Sequence, residues 1–252
     1  MAISVGNISS SRISLTTTGK TLSHNNNGNV LVVFVSYYYY SSNITAVKYN
    51  GTTMTLAESS GTGSAVRGCL IYVLSNPSNG ENNIVVEVAN SNNQYLGVAA
   101  ISISGADTTT IVGSTASIDN INDNGGVEDG TASIQLTTSV DNSIALCHLS
   151  RSIQPGSLKS GNQLIANFSY LNDTNSIATL ASYYKTTTAG NKILGWENSE
   201  SNNEWALAAI EILEGTVAGP ANVKTYKGLA SASVKTCKGL AIASVKSKKG
   251  LA

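Results

Sequence analysis

Tyr95-Leu-Gly-Val-Ala-Ala-Ile-Ser-Ile-Ser104 returns in the second half of the chain as Trp205-Ala-Leu-Ala-Ala-Ile-Glu-Ile-Leu213, and this echo decides how the whole sequence is read. Both copies follow an Asn-rich turn, Ser91-Asn92-Asn93-Gln94 and Ser201-Asn202-Asn203-Glu204. Each opens on an aromatic, passes through small residues and ends in strict alternation. Alternation of β-branched with small or polar residues is the period of a strand with one face in a core, and the Ala-Ala pair lets a neighbouring sheet come close.

The echo extends outward in the same order. Asn29-Val-Leu-Val-Val-Phe-Val35, apolar on both faces and so a central strand, is matched by Asp141-Asn-Ser-Ile-Ala-Leu-Cys-His-Leu149. Residues 66–75 are matched by 177–186, and 80–86 by 190–196. Between them, 44–49 and 52–57 flank Asn50-Gly51, whose two positive φ angles make a type I′ hairpin. Residues 3–8 and 12–17 read as two short strands, and His24-Asn-Asn-Asn-Gly28 as a turn. No segment keeps a helical period over ten residues. The expectation is an all-β protein: a jelly-roll-like antiparallel β-sandwich over 1–214, with halves at about 1–118 and 131–214 whose related strands pair across a pseudo-twofold.

Composition fits that class. Only 12% of the 252 residues are charged and there are three prolines, so turns rest on Asn and Gly. Such a polar but weakly charged surface suits virion proteins, adhesins and carbohydrate-binding modules. The start, Met1-Ala-Ile-Ser-Val, has no basic or apolar leader pattern, and no run is apolar enough to span a bilayer as a helix. The expected location is a virion surface or extracellular, with no membrane partner.

Beyond a linker at 215–222, residues 223–252 form three 11-residue basic repeats: Val223-Lys-Thr-Tyr-Lys-Gly-Leu-Ala, Val234-Lys-Thr-Cys-Lys-Gly-Leu-Ala and Val245-Lys-Ser-Lys-Lys-Gly-Leu-Ala. They read as eight-residue strands alternating with three-residue turns that end in Gly228, Gly239 and Gly250. Strands of this kind bury no face alone and need neighbours. Residues 221–252 hold seven lysines and no acid, which leaves eight Lys and Arg against all fifteen acids in the body. The tail therefore invites docking on protein, by Val223, Lys224, Tyr226, Lys227, Gly228, Leu229, Val234, Lys235, Lys238, Gly239, Leu240, Val245, Lys246, Gly250 and Leu251. Nucleic acid is disfavoured, since no arginine is present in the tail and Tyr226 is its only aromatic.

Candidate chemical sites are few. Cys69, Cys147 and Cys237 lack metal-ligand or disulfide spacing, and the first two read as core. His148 adjoins Cys147, but adjacent strand residues point to opposite faces and cannot form a nucleophile–base pair. His24 sits in the Asn-rich turn. Asp119, Asp123, Glu128 and Asp129 offer oxygen ligands for Ca²⁺ in one loop, yet that loop departs from the EF-hand pattern and also reads as a solvated acidic segment. Tyr37, Tyr38, Tyr39 and Tyr40 alternate across a strand, so two at best could stack on a sugar. No catalytic arrangement emerges, and no cofactor beyond the candidate Ca²⁺ is expected.

The Val-Lys-Thr-x-Lys-Gly-Leu-Ala repeat resembles a Val/Ile-Lys-Thr/Ser-x-Asn-Gly-Leu-Ala motif found in virion structural proteins of tailed phages and some bacterial surface proteins. The body resembles a β-sandwich of phage and bacterial extracellular proteins through residues 30–35, Val47-Lys-Tyr-Asn-Gly51 and Trp205–Ile212. Lys227, Lys238 and Lys249 stand where that motif has Asn. The resemblance implies a non-enzymatic virion structural protein, oligomeric and associated with other virion proteins. A secreted carbohydrate-binding or adhesion module, with a surface glycan as partner, is the alternative.

Overall fold

The apolar run at Val30–Tyr38 becomes the middle strand of a five-stranded sheet because both its faces meet other layers. The computed structural model describes residues 2–14, 20–38, 44–61, 67–89, 95–119, 132–151, 156–170, 177–197 and 205–215, together with four two-residue strand segments between 225 and 241. All regular structure in these residues is β, and there is no helix among them to cross a membrane.

The first half contains β1 (Ser4–Ser14), β2 (Lys20–Asn26), β3 (Val30–Tyr38), β4 (Ile44–Tyr49), β5 (Thr52–Thr53), β6 (Thr55–Ser60), β7 (Arg67–Ser75), β8 (Gly80–Val88) and β9 (Tyr95–Ser104). They form an inner sheet of order β1-β9-β3-β7-β6 and an outer sheet of order β2-β8-β4-β5. The second half contains β10 (Val112–Asp119), β11 (Ser133–Thr138), β12 (Ile144–Arg151), β13 (Gln163–Tyr170), β14 (Ile177–Lys185), β15 (Gly190–Gly195) and β16 (Trp205–Ile212). Its inner sheet runs β10-β16-β12-β14-β13, position for position the order of the first, and its outer sheet is β11-β15. All strand pairs are antiparallel.

Three cores follow from this layering. Leu31, Val33 and Val35 on β3 face the outer sheet and pack with Leu22, Val47, Tyr49, Ile84 and Val86. Leu149, Leu207 and Trp205 pack likewise with Leu136, Leu194 and Trp196. The remaining faces of the two inner sheets meet each other: Val30, Val32, Phe34, Ile101 and Ile103 against Ile144, Leu146, Ile210 and Ile212. The protein is thus four β-layers deep over residues 2–215, and a β-sandwich is present twice.

This arrangement corrects the expected pairing of related strands. Each half closes its own two sheets, and the halves share a core face to face because the inner strands are apolar on both sides. The repeat boundary also shifts. β10 pairs with β16, Ala116 opposite Ala209, so it opens the second half instead of closing the first. Register further shows that Trp205 occupies the place of Leu96, since Arg151 pairs with Trp205 as Tyr37 pairs with Leu96.

Local readings change in three places. In place of two short strands at 3–8 and 12–17 there is one strand, β1, over Ser4–Ser14, whose register shift between Val5 and Ile8 lets it follow β9; residues 15–17 lie outside the described residues. The turn expected at 24–28 is strand as far as Asn26, because Leu22, His24 and Asn26 are buried while Thr21, Ser23 and Asn25 face outward. The Asn50-Gly51 hairpin forms as read, with φ of 47° and 79° and Tyr49 opposite Thr52. Its second strand then divides at buried Met54, whose N–H donates to Val47 O (2.8 Å), and the chain crosses from the outer to the inner sheet.

Residues 216–252 belong to a separate unit. There Thr225–Tyr226 pairs with Leu229–Ala230, and Thr236–Cys237 with Leu240–Ala241. Tyr226 opposite Leu229, and Cys237 opposite Leu240, leave two residues between partners where a three-residue turn was expected.

Candidate functional site

A groove of about 410 Å³ lies on the outer sheet of the first half, lined by Ser23, Asn50, Gly51, Glu81, Asn82, Asn83 and Val85. Strand alternation puts Ser23, Glu81 and Asn83 on its solvent side, opposite the face that carries Leu22 and Ile84 into the core. Ser23 Oγ donates to Glu81 Oε1 (2.7 Å). Asn50 N–H donates to Asn83 O (3.1 Å), which pins the hairpin to the groove's edge. Tyr49, buried in the core next to the turn, donates its hydroxyl to Gly80 O (3.0 Å) and accepts from Asn82 Nδ2 (3.3 Å).

Register places Ser23 opposite Asn83 and Asn25 opposite Glu81 in the first half, and Gln135 opposite Ile193 and Thr137 opposite Asn191 in the second. The second half differs at the corresponding turn. Gly161 packs against the Tyr184 ring, so that a Cβ there would clash with it, and Lys192 Nζ lies 5.9 Å from the centre of that ring. A Cβ on Gly51 would meet nothing within 4 Å. An ion pair is retained at the same place in both halves, Lys48–Glu87 (2.7 Å) and Lys159–Glu197 (3.4 Å), flanking each turn.

The remaining polar groups of interest are buried and act on the fold. His24 lies on β2, inside the first half rather than in a surface turn, between Ser9 Oγ (3.0 Å) and Ser102 Oγ (2.8 Å). Ser102 gives its one proton to Asn26 Oδ1 (2.8 Å), so His24 Nε2 is the donor and Nδ1 the acceptor. That neutral tautomer agrees with a pKa pushed down to about 4 by burial. His148 Nε2 bonds to Ser36 Oγ (2.8 Å) across the shared core, and burial pushes its pKa down to about 3. Cys69 belongs to the shared core and Cys147 to the outer one, and burial pushes both thiols upward, away from reactivity.

Glu211 holds the position that Ser102 holds in the first half, between Ile210 and Ile212 as Ser102 lies between Ile101 and Ile103. Its carboxylate accepts from Ser139 N (2.9 Å), Ser139 Oγ (2.7 Å) and Ser114 N (3.1 Å). Burial alone would raise its pKa, but these donors prevail and hold it below the usual range. It clamps the turn before β12.

The residues singled out from sequence have different fates. Tyr37 is 1% exposed and donates to Gly61 O from a slot opposite Gly68, where any Cβ would overlap its ring. It cannot stack on a surface ligand, and the side chains of Tyr38, Tyr39 and Tyr40 lie outside the described residues. Trp196 and Trp205 are core. Asp119 ends β10 exposed, and Asp123, Glu128 and Asp129 lie outside the described residues, among which no cluster of metal ligands occurs. Of the docking residues, Tyr226, Leu229 and Leu240 are placed as backbone strand; the others fall outside the described residues. Sequence reasoning passed over the groove, because Asn50-Gly51 reads as a turn and Asn82-Asn83 as a strand start. The available signal was the failure of the repeat there: Glu81-Asn-Asn is answered by Asn191-Lys-Ile.

Comparison with known proteins returns no match to a family model, to a curated protein or to a solved structure.

Proposed function

We propose that this chain is a non-enzymatic structural protein displayed on the surface of a virion, docked through its basic C-terminal repeats onto other virion proteins and further copies of itself. The observation that carries this reading is the division of the chain. Residues 2–215 are one deep-cored unit, whereas 216–252 are separate and, among the described residues, offer paired strands of two residues. A two-stranded hairpin is marginal in water by itself, so a tail of such hairpins is built to be completed by a partner. The tail's lysines favour a protein partner that is acidic, as the body is.

Architecture adds support. The first half is an antiparallel β-sandwich of order β1-β9-β3-β7-β6 over β2-β8-β4-β5, and we read its winding as that of a jelly roll, which serves capsid and lectin domains alike. Fold alone does not separate those two roles. The groove on the outer sheet favours a second reading, an adhesion module presenting a glycan site, and a displayed virion protein could carry both.

The test is purification of particles from the source that encodes the chain. Its presence in fixed copy number, released by high salt and absent after deletion of residues 216–252, is expected. Recovery of the full-length protein free of particles would overturn the reading.

A further inference from the structure

We infer that the groove bounded by Ser23, Asn50, Glu81 and Asn83 binds a neutral sugar unit by its vicinal hydroxyls. The argument begins with the duplication. Both halves fold into the same layers, yet the turn glycine of the first, Gly51, faces open space, while in the second Gly161 packs on Tyr184 with Lys192 beside the ring. The fold therefore does not require the opening, nor the exposed amides and carboxylate around it. Where the first half has Asn83, the second has exposed Ile193.

The chemistry of the lining selects the ligand. Sugar hydroxyls each donate and accept, and neighbouring pairs match a carboxylate or a planar amide that presents two polar atoms side by side. Among the described residues Glu81 is bonded only by Ser23, which leaves its second oxygen to accept. The Asn83 side chain has no bond to a described residue, and the Asn50 amide uses only its Nδ2, on Ser78 Oγ (3.1 Å). Gly51 lets a ring approach the turn, and Val85 gives a small apolar patch for its C–H face. The single carboxylate repels sialic and uronic acids, and alone it is too few ligands for Ca²⁺. Recognition is therefore of neutral sugars and independent of metal.

This inference goes beyond the virion reading and does not depend on it. The experiment is titration of the full-length, ¹⁵N-labelled protein with glucose, galactose, mannose, N-acetylglucosamine and N-acetylneuraminic acid, with and without EDTA. At least one neutral sugar should shift the amides of Ser23, Gly51 and Asn83, with a dissociation constant on the order of millimolar, as suits a small ligand without an aromatic platform. EDTA should change nothing, and N83A and E81Q should each weaken binding about tenfold while the remaining spectrum stays as in the parent protein. Equal shifts with N-acetylneuraminic acid, shifts confined to other residues, or no shift with any neutral sugar would each overturn the inference. None of these results bears on particle association.

Discussion

Ser36 and Ser150 occupy equivalent positions on the two facing inner sheets, as do Phe34 and His148, and this gives the sharpest test of the fold's energetics. Register supports the equivalence: Val32 pairs with Ile101 and Ser36 with Gly97 in the first half, Leu146 with Ile210 and Ser150 with Ala206 in the second. Phe34 and His148 meet each other edge to face, with ring centres 5.4 Å apart. Ser36 bonds to the imidazole, but the mirror-image partner of Ser150 is a phenyl ring, and Ser150 Oγ is buried without a hydrogen bond. Ser36→Ala should leave a buried imidazole nitrogen unsatisfied and cost about 1–3 kcal/mol. For a domain of this size, ~2 kcal/mol lowers Tm by about 4–8 °C. Ser150→Ala removes a hydroxyl that has only its desolvation cost, and should be neutral or stabilising by up to ~1 kcal/mol. The assay is urea unfolding of both variants at pH 7, with the double variant Ser36→Ala/His148→Phe recovering much of the loss because both polar partners go together. If Ser150→Ala cost as much as Ser36→Ala, the asymmetry argument would be wrong.

Other outcomes follow from the same structure. His24 and His148 have folded pKa values of about 4 and 3 against an ordinary 6.5, so their neutral forms stabilise the fold fully above pH 6.5. That stability is lost as pH falls through the folded values, at up to about 1.4 kcal/mol per pH unit for each histidine, and urea midpoints measured from pH 7 to pH 4 should fall accordingly. Glu211→Gln places an amide NH₂ among the N–H groups of Ser139, Val140 and Ser114, and should cost about 2–3 kcal/mol in the same assay. A wild-type midpoint for that variant would show that the clamp is idle. Calorimetry should give one transition for residues 2–215, since the halves share a core, and two separated peaks would contradict the four-layer arrangement. Truncation after Gly215 should leave that transition in place, and its disappearance would make the tail part of the core.

Much of the architecture could be read from residue periodicity. The Val30–Val35 run, the alternation ending at Ile103 and at Ile212, and the Asn50-Gly51 turn each specify local backbone, because strand period and positive φ depend on neighbours in sequence. Order of elements was legible for the same reason, since a duplicated chain repeats its punctuation. The tail's repeat was visible too, although its hairpins close one residue tighter than expected.

What the sequence by itself determined was the β class, the duplication and the basic tail: properties of periodicity, repetition and composition. Only the tertiary structure decided that the halves pack back to back instead of interleaving, because a strand that is apolar on both faces says it will be covered but not by what. It also decided that His24 and Tyr37 are interior, since alternation assigns a face only once the register of the neighbouring strand is known. The groove belongs to this second group: Ser23, Asn50, Glu81 and Asn83 come from two strands and a turn, and pairing alone brings them together.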